Sequence, residues 1–281
     1  MNKIIDGKEI SETIRKKLKN EIRDFMIKPC LAVIQVGDDA GSTSYIRGKE
    51  RACTEVGIYF KHLKYDANVK EQELINKIKE LNNDDYVDGI LVQLPLPRML
   101  NEQRILKFIA SNKDVDGLTV ANIGKLVNNE EGLVPCTPQA IIEMLNYSKV
   151  NIAGNHVVIV GRSKLVGKPL ISLFLNKDAT VTVCHSKTVD LEKYTKQADI
   201  LVVAVGKKHL ITKSMVKEKA IVIDVGINRE NDKLYGDVDF DNVLDKVSLI
   251  TPVPGGVGPM TVAILLKNVL ESYKKKSITN Q

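Results

Sequence analysis

Tyr45 and Lys49 stand four residues apart in a stretch with helical patterning, which places both side chains on one face. A tyrosine there offers a flat surface to a ring system, and the lysine an ammonium beside it. A solvated surface pair has the same spacing. Gln93 lies inside the apolar run ILVQLPLP, where an uncharged polar side chain needs a hydrogen-bond partner, most simply from the protein itself. Asp114 and Asp116 in KDVDGLT read either as a turn before Gly117 or as carboxylates able to accept two parallel N–H donors from the edge of a heterocycle. There is no Ser-His-Asp arrangement, so stacking, hydrogen bonding and one amine are the chemistry these residues supply.

A second group of residues suits a nucleotide. An apolar strand over 156–160 runs into GRSKLVGKP (161–169) and then an apolar helix. Strand, glycine turn and helix N-terminus is the setting in which backbone N–H groups meet a pyrophosphate. The spacing is not GxGxxG, because Ser163 stands where the second glycine would be, and an ordinary strand–helix turn shares this pattern. In an NAD-binding fold an acid ~20 residues further on holds the ribose hydroxyls. Here the next strand runs into Cys184, His185, Ser186, Lys187 and Thr188 with no carboxylate, and Arg162 can approach from the first turn. Hydroxyl, lysine and arginine groups suit a 2′-phosphate, which favours NADP over NAD. His185 reads by default as a polar strand-end residue. Ala204-Val205-Gly206 and Asp224 to Asn228 end two further strands, at the edge of such a sheet where a ligand crevice forms; each alone is also an ordinary turn. TPVPGGVGPMT (251–261) carries three prolines, three glycines and no charge. It reads as a rigid wall or as a tight strand-to-helix turn.

The elements that must position these groups follow from periodicity. Ile10, Ile14, Leu18, Ile22 and Met26 repeat at four-residue steps and predict a first amphipathic helix. Strands are expected over 31–36, 58–63 and 87–94, with helices over 42–56, 69–81 and 101–109. Thr137 and Pro138 form an N-cap and first-turn proline that open a helix to about Asn146. Short, nearly continuous apolar runs at 156–160, 180–184, 200–205, 220–225 and 247–250 are the signature of strands buried on both faces, hence of a parallel sheet. Pro259 suits a first helical turn, with Val262, Leu265, Leu266, Val269 and Leu270 as the buried stripe behind it. The lysine-rich tail from Lys274 is expected to fray. The alternation predicts an α/β protein, with a domain boundary near 136–146.

The 281 residues suffice for two modest domains, and 43% hydrophobic with 27% charged residues is ordinary for a globular protein. No apolar run approaches the ~18 residues needed to span a bilayer, and the start MNKIIDGKEI lacks the apolar core of a signal peptide. The four cysteines lie far apart, with no CxxC and no histidine at zinc spacing, and read as reduced thiols with no metal role. A cytoplasmic protein is expected. The net charge of +6 is spread among acids along the chain, with no basic stripe or aromatic-rich motif, so neither nucleic acid nor membrane is expected as a partner.

These residues converge on a known pattern. VGDDAGSTSYIRGK (36–49), GILVQLPLP (89–97), KDVDGLT (113–119), PCTP (135–138), GRSKLVGKP (161–169), CHSKT (184–188), VGIN (225–228), YGDVD (235–239) and TPVPGGVGPMT (251–261) occur in family order over almost the full length. The chain closely resembles the bifunctional methylenetetrahydrofolate dehydrogenase/methenyltetrahydrofolate cyclohydrolase family. It departs at Ala40-Gly41, where family members often show Pro-Ala, a change of loop geometry that touches no reactive group.

The resemblance implies an N-terminal α/β catalytic domain (1–137, completed by a C-terminal helix over 259–273) and a Rossmann-like NADP-binding domain (138–258) with a mostly parallel sheet, the two flanking a cleft bordered by TPVPGGVGPMT. It implies that Tyr45 stacks on the folate, Lys49 is the key catalytic residue of the cyclohydrolase step, Gln93 tunes Lys49, and Asp116 binds the pterin edge. It implies that Gly161, Arg162, Ser163, Ser186 and Ile227 contact NADP, that tetrahydrofolate derivatives are the substrates of a one-carbon pathway serving purine biosynthesis, and that the protein is a homodimer. Two rival classes differ in what they need. A dehydrogenase of an amino or hydroxy acid requires a cationic carboxylate clamp and leaves QLPLP and KDVDG without a role. A non-catalytic nucleotide-binding protein gives no reason to keep Tyr45, Lys49, Gln93 and Asp116 together.

Overall fold

The computed structural model describes residues 3–279. The chain forms two compact units. One comprises Glu12–Cys136 and the chain from Val262, and the other the N-terminal residues through Ser11 with Thr137–Thr261.

The first unit is built on three parallel strands in the order β2-β1-β3: β1 (Cys30–Val36), β2 (Tyr59–Tyr65) and β3 (Gly89–Val92). Every residue of β1 and β3 is buried, as continuous apolar runs require. Around them run α1 (Gly7–Ile22, in this unit from Glu12), α2 (Ala40–Val56), α3 (Glu71–Asn83), α4 (Glu102–Leu106) and α5 (Val120–Val127). Leu74, Ile78 and Leu81 of α3 pack with Ala32, Ile34, Ile90 and Val92 of the sheet. The sequence pattern extends α1 to Met26, but the helix stops at Ile22 and Met26 is fully exposed. Lys28 Nζ donates to the carbonyls of Ile22 and Arg23, both at 2.9 Å, and thereby caps the helix before Met26. Asp39 caps α2 by accepting the Ser42 N–H at 2.7 Å, and Gly57 ends it at a φ of 87°. Thr119 caps the start of the short helix α5 by accepting the N–H of Asn122, and Asn122 and Leu126 are its buried residues.

The second unit holds α6 (Cys136–Tyr147), β4 (His156–Val160), α7 (Gly167–Leu175), β5 (Thr180–Cys184), α8 (Leu191–Thr195), β6 (Ile200–Val203), β7 (Ile221–Asp224), β8 (Asn228–Glu230), β9 (Lys233–Tyr235), α9 (Phe240–Val243) and β10 (Leu249–Ile250). Five strands pair in parallel in the order β10-β7-β6-β4-β5, and β8–β9 is an antiparallel hairpin. From β4 the chain goes first to β5 on one side and then to β6 on the other. The strand order therefore reverses at β4/β6, the place where doubly wound sheets bind their ligands. β6 and β7 are shorter than their apolar runs because Val205 and Val225 already belong to loops.

The last helix, α10 (Val257–Thr279), starts two residues before Pro259 and runs through the lysine-rich segment expected to fray. Lys275 pairs with Glu131 at 2.7 Å, and Lys274 and Lys276 pair with Glu21 and Asp88. Buried Ser272 donates to the carbonyls of Asp88 and Asn112. These partners are remote in sequence, which is why composition alone suggested a loose tail.

Candidate active site

In the first unit Lys49 and Gln93 meet. Lys49 extends from α2 and its Nζ donates to Gln93 Oε1 at 2.8 Å. Gln93 is itself fixed just beyond β3, its backbone N–H donating to Ile34 O at 2.9 Å and its Nε2 to Leu94 O at 2.8 Å. An amide that presents its oxygen to an amine leaves the lysine free to exist in either protonation state. Surrounding protein strips water from the Lys49 ammonium and lowers its pKa, an effect that the negative charge of Asp116 opposes. Both side chains nevertheless retain some accessible surface. Tyr45 sits one turn before Lys49 on α2 with 57% of its surface exposed, so its ring is available for stacking.

The two aspartates of KDVDGLT separate cleanly. Asp114 is buried, and its carboxylate accepts the N–H groups of Leu118 (3.2 Å) and Thr119 (2.8 Å) and the Asn122 amide (2.9 Å). It is the turn-forming residue. Asp116 faces Lys49 and Cys136; desolvation raises its pKa, and the Lys49 charge opposes that rise. Gly117 is held at a φ of 70°, and a Cβ there would lie 2.5 Å from the backbone of Val134 and Pro135. Burial and the Asp116 charge push the Cys136 thiol well above its ordinary range, so it stays protonated. Cys136 and Asn268 complete the surroundings of Asp116, although neither was singled out from the sequence. Asn268 Nδ2 donates to Val115 O at 2.8 Å and to Val134 O at 3.0 Å, tying the two chain segments beside Asp116 together. The available signal was a polar residue inside the apolar stripe LLKNVL. Lys113 is likewise structural: its Nζ donates to the carbonyls of Leu81 and Asp84 at 3.0 and 2.7 Å, at the end of α3.

In the second unit the switch point is a cradle that only glycine can form. Gly161 follows β4 at a φ of 129°, and a Cβ there would lie 2.3 Å from Ala204 O, just beyond β6. A Cβ on Gly167 would lie 2.3 Å from Gly161 O. The start of α7, the glycine turn and the end of β6 thus touch backbone to backbone, the close approach a dinucleotide's pyrophosphate needs. Ser163 Oγ accepts the N–H groups of Val166 and Gly167 at 3.2 and 3.4 Å, which leaves its own O–H available as a donor. Arg162 is exposed beside it. After β5, a turn is closed by the His185 N–H donating to Thr188 Oγ1 at 2.8 Å, and Ser186 and Lys187 remain exposed. His185 is therefore a strand-end residue, its Nδ1 accepting the Lys187 N–H at 3.2 Å. Ile227 follows β7 with half its surface exposed. An exposed arginine, lysine and hydroxyl, with no carboxylate at the end of β5, fit an additional phosphate.

TPVPGGVGPMT is packed within the same unit. A Cβ on Gly7 would lie 1.8 Å from Gly256 O, and one on Gly256 would lie 2.5 Å from Pro252 O. Its glycines serve contact between backbones at the start of α1. Among the described residues there is no group of His, Cys, Asp or Glu arranged to hold a metal ion.

A doubly wound dinucleotide-type unit and a second α/β unit carrying a desolvated lysine beside an aspartate define a two-unit α/β enzyme class. Residues 5–116 match the tetrahydrofolate dehydrogenase/cyclohydrolase catalytic domain, and residues 135–277 match the NAD(P)-binding domain of that family. Bifunctional protein FolD of Campylobacter hominis is 53% identical over 279 residues, covering 97% of this chain and 98% of its own. The crystal structure of the bifunctional FolD methylenetetrahydrofolate dehydrogenase/cyclohydrolase from Campylobacter jejuni superposes with a TM-score of 0.95 at 46% identity, over 97% of this chain and 98% of that one. The Trypanosoma brucei methylenetetrahydrofolate dehydrogenase-cyclohydrolase, solved with NADP and an inhibitor, gives 0.93 at 37% identity over 98% of both chains. The chain belongs to the tetrahydrofolate dehydrogenase/cyclohydrolase family.

Proposed function

We infer that this protein oxidises 5,10-methylenetetrahydrofolate to 5,10-methenyltetrahydrofolate with NADP⁺ and hydrolyses the product to 10-formyltetrahydrofolate. The observation that carries the reading is the desolvated Lys49 amine held by Gln93 and facing Asp116, in a chain of this family. NADP⁺, when bound, supplies the hydride acceptor. Gly161, Arg162, Ser163, Ser186 and Ile227 would hold it, with Arg162 and Ser186 toward the 2′-phosphate.

For the folate, the exposed Tyr45 ring supplies a stacking face and Asp116 a carboxylate for the N–H donors of the pterin edge. The oxidation needs no side-chain base, because the folate nitrogens stabilise the cation left when hydride departs; the residues contribute placement. The hydrolysis does need proton movement. Lys49, in its neutral form, takes a proton from the water that adds to the methenyl carbon. The resulting carbinol collapses as its hydroxyl loses a proton and N5 gains one, with net release of a single proton. An amine whose pKa is lowered toward neutrality by desolvation can perform both transfers. Gln93 orients it without adding a charge that would raise its pKa again.

A homodimer acting in the cytoplasm, in the one-carbon supply to purine biosynthesis, without nucleic-acid or membrane partners, belongs to the same proposal. No helix among the described residues is long and apolar enough to cross a membrane. The test is methylenetetrahydrofolate-dependent reduction of NADP⁺, followed in the same cuvette by decay of the methenyl absorbance. Absence of NADP⁺ reduction would refute the reading.

A further inference from the structure

Asp237 is completely buried. Its Oδ2 accepts the backbone N–H groups of Val205 (2.7 Å) and Gly206 (3.0 Å). Its Oδ1 accepts the N–H of Lys207 (2.7 Å) and the Nδ2 of Asn228 (3.0 Å). Three successive backbone N–H groups converging on one point form a nest, a motif that ordinarily captures an external anion. Here the chain supplies the anion itself.

The surroundings are shaped to admit that carboxylate. A Cβ on Gly226 would lie 2.1 Å from the Asp237 carboxyl carbon, so only glycine leaves room. Behind it, Asp224 Oδ1 accepts the N–H groups of Asp237 and Gly226, both at 3.0 Å, and Oδ2 accepts that of Val238 at 2.9 Å. One carboxylate therefore gathers the loop after β6 and the segment after β7. Ile227 lies between Gly226 and Asn228, and Ala204 O is the atom against which the Gly161 turn closes. The position of both loops is thus transmitted to residues on either side of the sheet's switch point.

We propose that Asp237 is a positioning residue for the dinucleotide site, its carboxylate acting as a built-in anion that holds residues 205–207 and Asn228 in the geometry the cofactor requires. The assignment rests on the reading of Gly161 and Ile227 as cofactor contacts. It also explains why three adjacent N–H groups at the carboxyl edge of the sheet do not form a second phosphate site: their hydrogen-bonding capacity is already used.

Two substitutions separate this role from simple support of the fold. Asp237→Ala empties the nest and leaves a cavity the size of a small carboxylate. Asp237→Asn fills the same space but turns an N–H₂ group toward donors, since each Asp237 oxygen already faces two of them. In the cofactor-free protein, amide hydrogen exchange at Val205, Gly206 and Lys207 is expected to accelerate in both variants. Sodium formate, against a sodium chloride control, is expected to restore protection in Asp237→Ala and to do nothing for Asp237→Asn. The dissociation constant and KM for NADP⁺ are expected to rise about tenfold or more in both variants, as loss of charge-assisted hydrogen bonds predicts, with kcat little changed and recovery by formate in Asp237→Ala only.

Wild-type protection of these three amides in the variants, or unchanged NADP⁺ affinity, would overturn the assignment. So would loss of exchange protection throughout the unit together with loss of methenyl hydrolysis, which needs no oxidised cofactor and reports on the remainder of the chain. Failure of the wild-type protein to reduce NADP⁺ would instead strike the functional reading, and the exchange measurements would still report on the nest.

Discussion

Replacing Lys49 by methionine tests the hydrolytic mechanism directly. Methionine keeps an unbranched chain of similar length, so α2 and its packing survive, and only the amine is removed. The structure indicates what is lost. Lys49 Nζ sits 2.8 Å from Gln93 Oε1 in a desolvated position where its pKa falls, and its charge restrains the upward shift of Asp116. Without it, methenyl hydrolysis loses its proton-transfer group, and the Asp116 carboxyl moves further toward its neutral form. Proton transfer by a positioned side chain contributes ~10²–10⁴ in rate, so decay of methenyl absorbance should slow by that factor, roughly 3–5 kcal/mol of barrier. Dehydrogenase turnover, which uses no side-chain base, should remain measurable, with KM for the folate raised. Lys49→Arg separates charge from proton transfer: guanidinium keeps the cation but cannot give up its proton at accessible pH. It should bind folate better than Lys49→Met and hydrolyse no faster. In the wild type the hydrolysis rate should rise with pH as the amine becomes neutral, at a pH below the ordinary lysine range. Normal methenyl hydrolysis by Lys49→Met, or wild-type hydrolysis by Lys49→Arg, would refute the reasoning.

Arg162→Ala should raise the KM for NADP⁺ well above its effect on NAD⁺, by about tenfold for a lost phosphate contact; equal effects on the two cofactors in steady-state assays would remove Arg162 from 2′-phosphate recognition. Gly167→Ala should weaken NADP⁺ binding in a calorimetric titration and lower stability by about 1–3 kcal/mol, because the added Cβ meets the Gly161 carbonyl at 2.3 Å and neither partner is a flexible side chain; an alanine variant with wild-type affinity and melting temperature would contradict the cradle. Burial pushes the Asp224 carboxyl up from 3.8 to about 6, against hydrogen bonds from Val238, Asp237 and Gly226 that favour its ionised form. The folded state then holds this proton more tightly than the unfolded chain, so the group's contribution to stability falls as pH rises from about 4 to about 6 and stays low above that, a change of roughly 3 kcal/mol. The difference in urea-unfolding free energy between wild type and Asp224→Asn should show that slope, and a difference independent of pH from 4 to 7 would show that Asp224 does not titrate in this window.

Much of the fold is legible from local pattern. The apolar runs at Leu31 and at His156 to Val160 are short and uninterrupted, and strands buried on both faces need that composition. The helical spacing of Tyr45 and Lys49 survives unchanged on α2 because it depends only on helix geometry. Reading fails where a side-chain partner off the periodic pattern decides. Met26 continues the period of α1, yet Lys28 caps the helix at Ile22. The segment beyond Lys274 looks like a loose tail, yet ion pairs to Glu21, Glu131 and Asp88 hold it in α10.

The candidate sites divide along the same line. Sequence alone determined the residue types: an amine, an amide, an aspartate and a tyrosine in one half, and a glycine turn without a following carboxylate in the other. These are chemical identities, and motif order preserves them. Only the tertiary structure decided which of them meet and in what electrostatic surroundings. Lys49 and Gln93 are 44 residues apart yet hydrogen-bonded, Asp114 rather than Asp116 builds the turn, and Asp237 closes a nest formed some 30 residues earlier. Desolvation and hydrogen-bond partners are properties of three-dimensional neighbours, and a linear pattern carries no measure of either.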